Sequence, residues 1–353
     1  MQTDLLSSRS FNNHKRICFF AHVHDKKVLE LVEFYHNDIR ILTELGFDIS
    51  IATRYHEIPL RCDLYYSWWW ATGIQALAAA RLAGKPIIMV GNVRFDQDAP
   101  YGFPKASILK MVCIKSALRL ATVILTTSQY ENDIVTRYRS RDVHMVYHGI
   151  DLDIYNPNKA GPREEILFTI CNLYHENAKR KRIIETIEAF ALIAQKFPAY
   201  KLVIAGGSAG IQDRTKETLL ALVDHLNLRG RVVFTGSISL VEKIEFYRKA
   251  QAFVQPSVYE GFGLAIAEAM ACGTPVVVCR SGATPEVVGD AGLYVSGTSQ
   301  DIADGLVQLL RNKNLRQDLG TMGQTRVIQM FSYENRKKTL KKIIDSTLKK
   351  ERS

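Results

Sequence analysis

Apolar residues along this chain come in short runs, and between the runs they recur every three or four positions. RICFFAHV (16–23) is a run rich in β-branched and aromatic residues, which predicts a strand. YHNDIRILTELG (35–46) spaces Ile39, Leu42 and Leu45 at helical steps and stops at Gly46. The same alternation continues through strands at FDISIAT (47–53), DLYYSWWW (63–70), PIIMVG (86–91), TVILTTS (122–128) and VHMVYHG (143–149). Helices are predicted over 71–84 and 108–121. GIDLDIYNPNKAGPREE (149–165) interrupts the pattern with Pro, Gly, Asn and charge, as a linker does. A second series follows, with strands at 166–171, 200–206, 231–236, 252–257 and 274–279, and helices at 182–197, 215–228, 239–250 and 265–273. Strands that alternate with helices predict parallel sheets covered on both faces. The expected fold class is therefore α/β, two doubly wound lobes facing across a cleft. Ligands in such sheets bind beyond the carboxyl ends of the strands.

The length of 353 residues suits two domains at roughly 150 residues each, and 47% hydrophobic with 23% charged residues is an ordinary globular composition. Six cysteines (18, 62, 113, 171, 272, 279) form no CxxC pair, which argues against a zinc ribbon and for reduced thiols. No apolar run approaches the about 20 residues of a membrane helix, and residues 1–16 carry no signal-peptide core. A cytoplasmic protein, peripheral to a membrane at most, is the expectation. The net charge of +10 is unevenly spread. Residues 336–353 hold eight Lys/Arg against two acids, and Lys105, Lys110, Lys115 and Arg119 cluster around one predicted helix. Solvated helix faces and an anionic membrane surface both account for this. Nucleic acid is not expected, because no binding motif accompanies the charge.

Candidate chemistry concentrates in SVYEGFGLAIAEAMACGTPVVVCRSGATPEVVGDAGLYV (257–295). A strand ends near Ser257, and the loop Tyr259-Glu260-Gly261-Phe262-Gly263 enters a helix beginning near Leu264. Glycines at a helix start permit close backbone approach, and the unpaired N–H groups there favour a phosphate. Glu260 and Glu268, eight residues apart, offer carboxylates to paired hydroxyls such as those of a sugar or ribose. GFGLAI fails as a dinucleotide fingerprint because Ile266 occupies the third glycine position. GGSAG (206–210) is also only a partial match.

Taken whole, residues 260–277 resemble the motif E-G-F-G-L-x-x-x-E-A-M-A-x-G-x-P-V-V of the retaining glycosyltransferases of family 4, which have the GT-B fold. VYHGIDLDIYNP (146–157), ICNLYHENAKRKRIIETIEAFALI (170–193), YKLVIAGG, VVFTGSIS and SGATPEVVGDAG are similar to further segments of that family. The resemblance implies an acceptor-side Rossmann-like domain over 1–155, completed by a C-terminal helix (335–353), and a nucleotide-sugar-binding domain over 156–334. It implies transfer of a sugar from a nucleoside-diphosphate sugar to an acceptor hydroxyl with retention of configuration. The expected acceptor is a sugar or lipid-linked, and by the resemblance the leaving phosphate oxygen would serve as the base. Glu260 would contact the donor sugar and Glu268 the ribose. Gly261, Phe262, Gly263 and Leu264 would hold the diphosphate or sugar through backbone N–H groups. Lys181 and Arg182 would neutralise the leaving group. Asn172 stands where the family has an arginine, a loss for which Lys179, Arg180 or Arg182 could compensate. Ser237 and Ile238 would border the base. On the acceptor side, Asn92 aligns nearest to a family histidine, with Arg94, Asp96 and His24 as neighbouring candidates. Asp151-Leu152-Asp153 spells a metal-binding DxD but falls in the linker, so neither a metal nor a cofactor is expected. The alternatives are a nucleotide-sugar epimerase of the same fold and a catalytically degenerate partner subunit.

Overall fold

A computed structural model describes residues 15–92, 107–139, 141–157, 161–208 and 213–350. The first half runs β1 (Arg16–Phe20), α1 (Lys27–Leu31), α2 (Glu33–Glu44), β2 (Asp48–Ala52), β3 (Leu64–Trp68), α3 (Ile74–Leu82), β4 (Ile87–Val90), α4 (Ile108–Leu120), β5 (Val123–Thr126), α5 (Gln129–Val135) and β6 (Val143–Met145). These strands form one sheet in the order β2-β1-β3-β4-β5-β6. Phe20 pairs with Ala52 on one side and Ser67 on the other, both in parallel. The central strands are buried on both faces, which is why their sequences are continuous apolar runs rather than alternating ones.

The second half runs β7 (Ile166–Ile170), α6 (His175–Arg180), α7 (Ile183–Ala194), β8 (Lys201–Ala205), α8 (Thr215–His225), β9 (Val232–Gly236), α9 (Leu240–Lys249), β10 (Ala252–Gln255), α10 (Leu264–Ala271), β11 (Val276–Cys279), α11 (Thr284–Val288), β12 (Leu293–Val295), α12 (Ser299–Arg311), α13 (Lys313–Met330) and α14 (Tyr333–Lys350). Its all-parallel sheet has the order β12-β11-β10-β7-β8-β9. The described chain divides into two compact units. One holds the residues up to Gly91, Ile108–Leu125 and those from Lys341 on; the other holds the rest.

Every strand expected from the apolar runs is present, and the helices lie where the periodicity puts them, with shifts of a few residues at their ends. The structure adds α1, α5, α6, α11, β12, α12 and α13. α13 carries Gly320, whose absent side chain leaves room for the Gly273 carbonyl, 2.4 Å from where a Cβ would stand. A helix selected for such close approach shows little apolar periodicity.

Candidate active site

The carboxyl end of β10 delivers the site. Gln255 ends the strand, and residues 256–263 loop into α10. Gly263 sits at φ +100°, a conformation open to glycine and strained for other residues, and the chain turns there into the helix. The first N–H groups of α10 therefore face away from the helix without intrahelical acceptors, at the positive end of its dipole. Gly282 is required for a different reason. A Cβ there would meet the Glu260 carbonyl at 2.3 Å, so the loop after β11 packs directly under the glutamate.

Glu260 is 7% exposed and bound on both oxygens. Oε1 accepts hydrogen bonds from Lys181 Nζ at 2.8 Å and Gln255 Nε2 at 3.0 Å, and Oε2 lies 3.2 Å from Arg180 Nη1. Burial alone would raise this carboxyl, but Lys181 and Arg180 outweigh it and hold it well below the usual carboxylate range. Burial pulls the Lys181 ammonium down, and Glu260 offsets part of that. The two cations come from the end of α6. Asn177 steadies them by accepting Arg180 Nη2 at 2.7 Å and donating to the Asn172 carbonyl at 2.8 Å. Arg180 Nη1 also donates to the Tyr259 carbonyl at 2.7 Å.

Arg182, expected beside Lys181 at the leaving group, is directed elsewhere. Its backbone is left-handed (φ 52°), so its side chain departs from the line of α6. Its guanidinium donates to the Ser296 carbonyl at 3.1 Å and contacts Cys279 Sγ at 3.1 Å. A Cβ at residue 297 would collide with it, which accounts for Gly297. Of the three residues named as able to compensate for the arginine missing at Asn172, Arg180 is the one that reaches Glu260. Asn172 is exposed, with its carbonyl tied to Asn177.

Glu268, on the buried face of α10, is 4% exposed. It accepts from Tyr247 Oη at 2.8 Å and lies 3.2 Å from Lys243 Nζ. Phe262 is a packing side chain, with its ring 5.1 Å from His148 and 5.4 Å from Phe331. Ser237 is exposed after β9, opposite the glycine pair at 206–207, where a Cβ on Gly207 would come within 2.4 Å of its Oγ. Ile238 is half-buried. Asp151 Oδ1 accepts the Asp153 N–H at 3.0 Å in the linker turn. His24 is exposed after β1, its carbonyl accepting from Arg54, and Asn92 follows β4. Arg94, Asp96 and Lys105 lie outside the described residues.

Sequence reading missed Gln255, Tyr247 and Lys243 as partners of the two glutamates. It also missed Glu131, a fully buried carboxylate whose Oε1 stands 2.8 Å from where a Cβ on Gly261 would be.

Residues 162–326 match the family model described as glycosyl transferases group 1. The chain is 27% identical over 321 residues to alpha-maltose-1-phosphate synthase of Mycolicibacterium smegmatis, covering 83% of this chain and 80% of that protein. It is 31% identical over 207 residues to N-acetyl-alpha-D-glucosaminyl L-malate synthase of Bacillus anthracis, covering 55% of this chain and 51% of that protein. Among solved structures, Anabaena HepE in complex with UDP and glucose is similar with a TM-score of 0.77 at 17% identity, covering 94% of this chain and all of that one. The match to the group 1 model falls within the second unit. The chain is a glycosyltransferase, and its two parallel sheets with surrounding helices are the GT-B fold.

Proposed function

We propose that this enzyme transfers a sugar, with retention of configuration, from a nucleoside diphosphate to an acceptor hydroxyl, and that the donor sits at the head of α10. The observation that supports this most directly is the buried Lys181–Glu260–Arg180 cluster beside a helix N-terminus. A departing diphosphate gathers negative charge, and two fixed cations with helix N–H groups stabilise it without reorganising. Glu260 restrains the cations before the donor arrives and accepts sugar hydroxyls afterwards. Glu268, fixed by Tyr247 and Lys243, receives the ribose. The leaving phosphate oxygen takes the acceptor proton on the same face, so no protein base or metal is required. Family 4 is the assignment this reading makes, and the UDP-bound neighbours make UDP the first nucleotide to test.

The test is a melting-temperature comparison with UDP, GDP and ADP, followed by NMR assignment of the anomer formed from the matching nucleotide sugar. One nucleotide should stabilise the protein by mass action. Stabilisation by none, or an inverted product, would overturn the reading.

We further propose a membrane-associated acceptor, with α4 as the docking element on the inner face of a membrane. Ile108 is 86% and Leu109 73% exposed, and both stand among the exposed basic residues Lys110, Lys115 and Arg119. Leu118, on the same helix, is buried in the core. No helix among the described residues is long and apolar enough to cross a membrane. Flotation with phosphatidylserine vesicles should occur at low salt and weaken as salt rises. Absence of flotation at low salt would remove the proposal.

A further inference from the structure

The run Tyr66-Ser67-Trp68-Trp69-Trp70 ends β3 at the carboxyl edge of the first sheet, where parallel α/β sheets place ligands. Trp69 there adopts φ 67°, one of the few left-handed residues in the described chain that is not glycine. A bulky aromatic in this region is strained by roughly 1–3 kcal/mol, and such strain persists where the surroundings impose it.

The surroundings are themselves aromatic. Phe34, at the start of α2, lies 4.7 Å from Trp68 and 5.9 Å edge-on from Trp69, centroid to centroid. Trp68 and Trp69 are 5.6 Å apart. Tyr35 accepts the Trp69 indole N–H through its hydroxyl, and the wholly buried Asp38 accepts Trp68 Nε1 at 3.2 Å and Tyr66 Oη at 2.7 Å. Trp70 lies against Gly91, whose backbone leaves no room for a side chain beneath the indole. Trp68, Trp70 and Tyr35 are buried, while Trp69 and Phe34 keep part of their surface open. Further along the same segment, Thr72 Oγ1 and Gln75 Oε1 are buried without a hydrogen-bond partner among the described residues. Unsatisfied polar atoms are uncommon in packed cores and call for an explanation of their own.

We propose that Trp69 and Phe34 form an aromatic platform for the acceptor, and that the acceptor presents a pyranose ring. The inference rests on the glycosyltransferase reading and names the acceptor class within it. A pyranose has one face of C–H groups and an equator of hydroxyls. The partly open rings match the first; Thr72 Oγ1 and Gln75 Oε1 are closed to solvent and reach the second only if that segment opens on binding. A packing role alone would call for neither a strained backbone at the one tryptophan of the three that stays partly open nor a hydrogen-bonded cradle holding its indole.

The test is saturation-transfer NMR on the full chain in the presence of UDP. The probes are methyl α-D-glucopyranoside, methyl α-D-galactopyranoside and methyl α-D-mannopyranoside, with glycerol as an acyclic control. At least one pyranoside should receive saturation and glycerol should not. Trp69→Gly removes the ring and relieves the backbone, and should weaken that pyranoside roughly three- to tenfold, the range of one aromatic contact. Trp69→Phe should weaken it less, and it keeps the question answerable if the glycine variant does not fold. UDP binding and donor hydrolysis without acceptor should match the parent protein in both variants. Pyranoside binding unchanged in the variants, or absent while UDP binds, would overturn the proposal. Loss of UDP binding in the parent protein would instead strike the donor-site reading.

Discussion

The carboxyl ends of the two sheets are built from different materials. At the end of β10, side chains meet through charge: Glu260 with Lys181 and Arg180, Glu268 with Lys243. At the end of β3 they meet as rings, with one carboxylate, Asp38, holding a tyrosine and a tryptophan in place. Buried ion pairs cost desolvation and are weak evidence of stability, so a site that keeps Lys181 and Glu260 buried, with Arg180 half-buried beside them, is a candidate for a charged ligand. An aromatic site holds its shape through packing and selects ligands by surface. The difference fits the two proposals made above, a diphosphate at one place and an uncharged ring at another.

The comparison breaks first at Glu260. Glu260→Gln keeps the shape and removes the charge, and transfer should fall about a hundredfold or more, the scale of losing one preorganised electrostatic group. Steady-state kinetics check this, with a urea titration alongside, because two cations are left without their counter-charge. Near-parent turnover would mean that charge at this sheet end is structural.

Glu268→Ala should separate binding from chemistry. The expected outcome is roughly tenfold weaker nucleotide binding by calorimetry, one charge-assisted hydrogen bond's worth, with a smaller change in kcat.

Acid sharpens the contrast between interior and surface carboxylates. Glu260 is held low against burial by two cations, while the half-buried Glu57 is held to about 2 chiefly by the Thr53 backbone N–H. A carboxyl whose pKa is depressed in the folded protein contributes stability above its ordinary value of 4.5, and that contribution is lost as pH falls through the folded value. Urea midpoints should therefore drop between pH 4.5 and the folded pKa values. Lys181→Met should flatten the part of that drop due to Glu260 and leave the Glu57 part in place. An acid profile identical to the parent would contradict the pairing.

The smallest expected effect is that of chelation. If Lys181, Arg180 and helix N–H groups hold the diphosphate as proposed, EDTA should leave transfer unchanged. Activity lost in EDTA and restored by magnesium would put a metal where the cations are placed here.

Much of this is legible in the sequence. Apolar runs such as KPIIMVG and YKLVIAG mark strands buried on both faces, because a fully covered strand has no polar side to show. The stretch 260–268 identifies its own loop and helix, since two glycines, a helix start and two carboxylates lie within nine residues of one another. Local order was enough there because the functional groups are local.

Where a site is assembled from distant segments, sequence order did not suffice. Gln255, Lys181 and Arg180 converge on one carboxylate from the ends of β10 and α6. Four consecutive cations, 179–182, are equivalent as a string. Which of them reach Glu260 is decided by where α6 ends and by the left-handed turn at Arg182, a conformation that packing against Ser296 and Cys279 imposes and no local preference of arginine predicts. The same holds for Trp69. Three tryptophans in a row read as the end of a strand, and only the packed sheet determines that the middle one is turned against its own backbone preference while its neighbours are buried. The elements and the motif are properties of the chain, because propensity and periodicity act between near neighbours. The choice among like residues belongs to the tertiary structure, because the contacts that make it lie dozens of residues away.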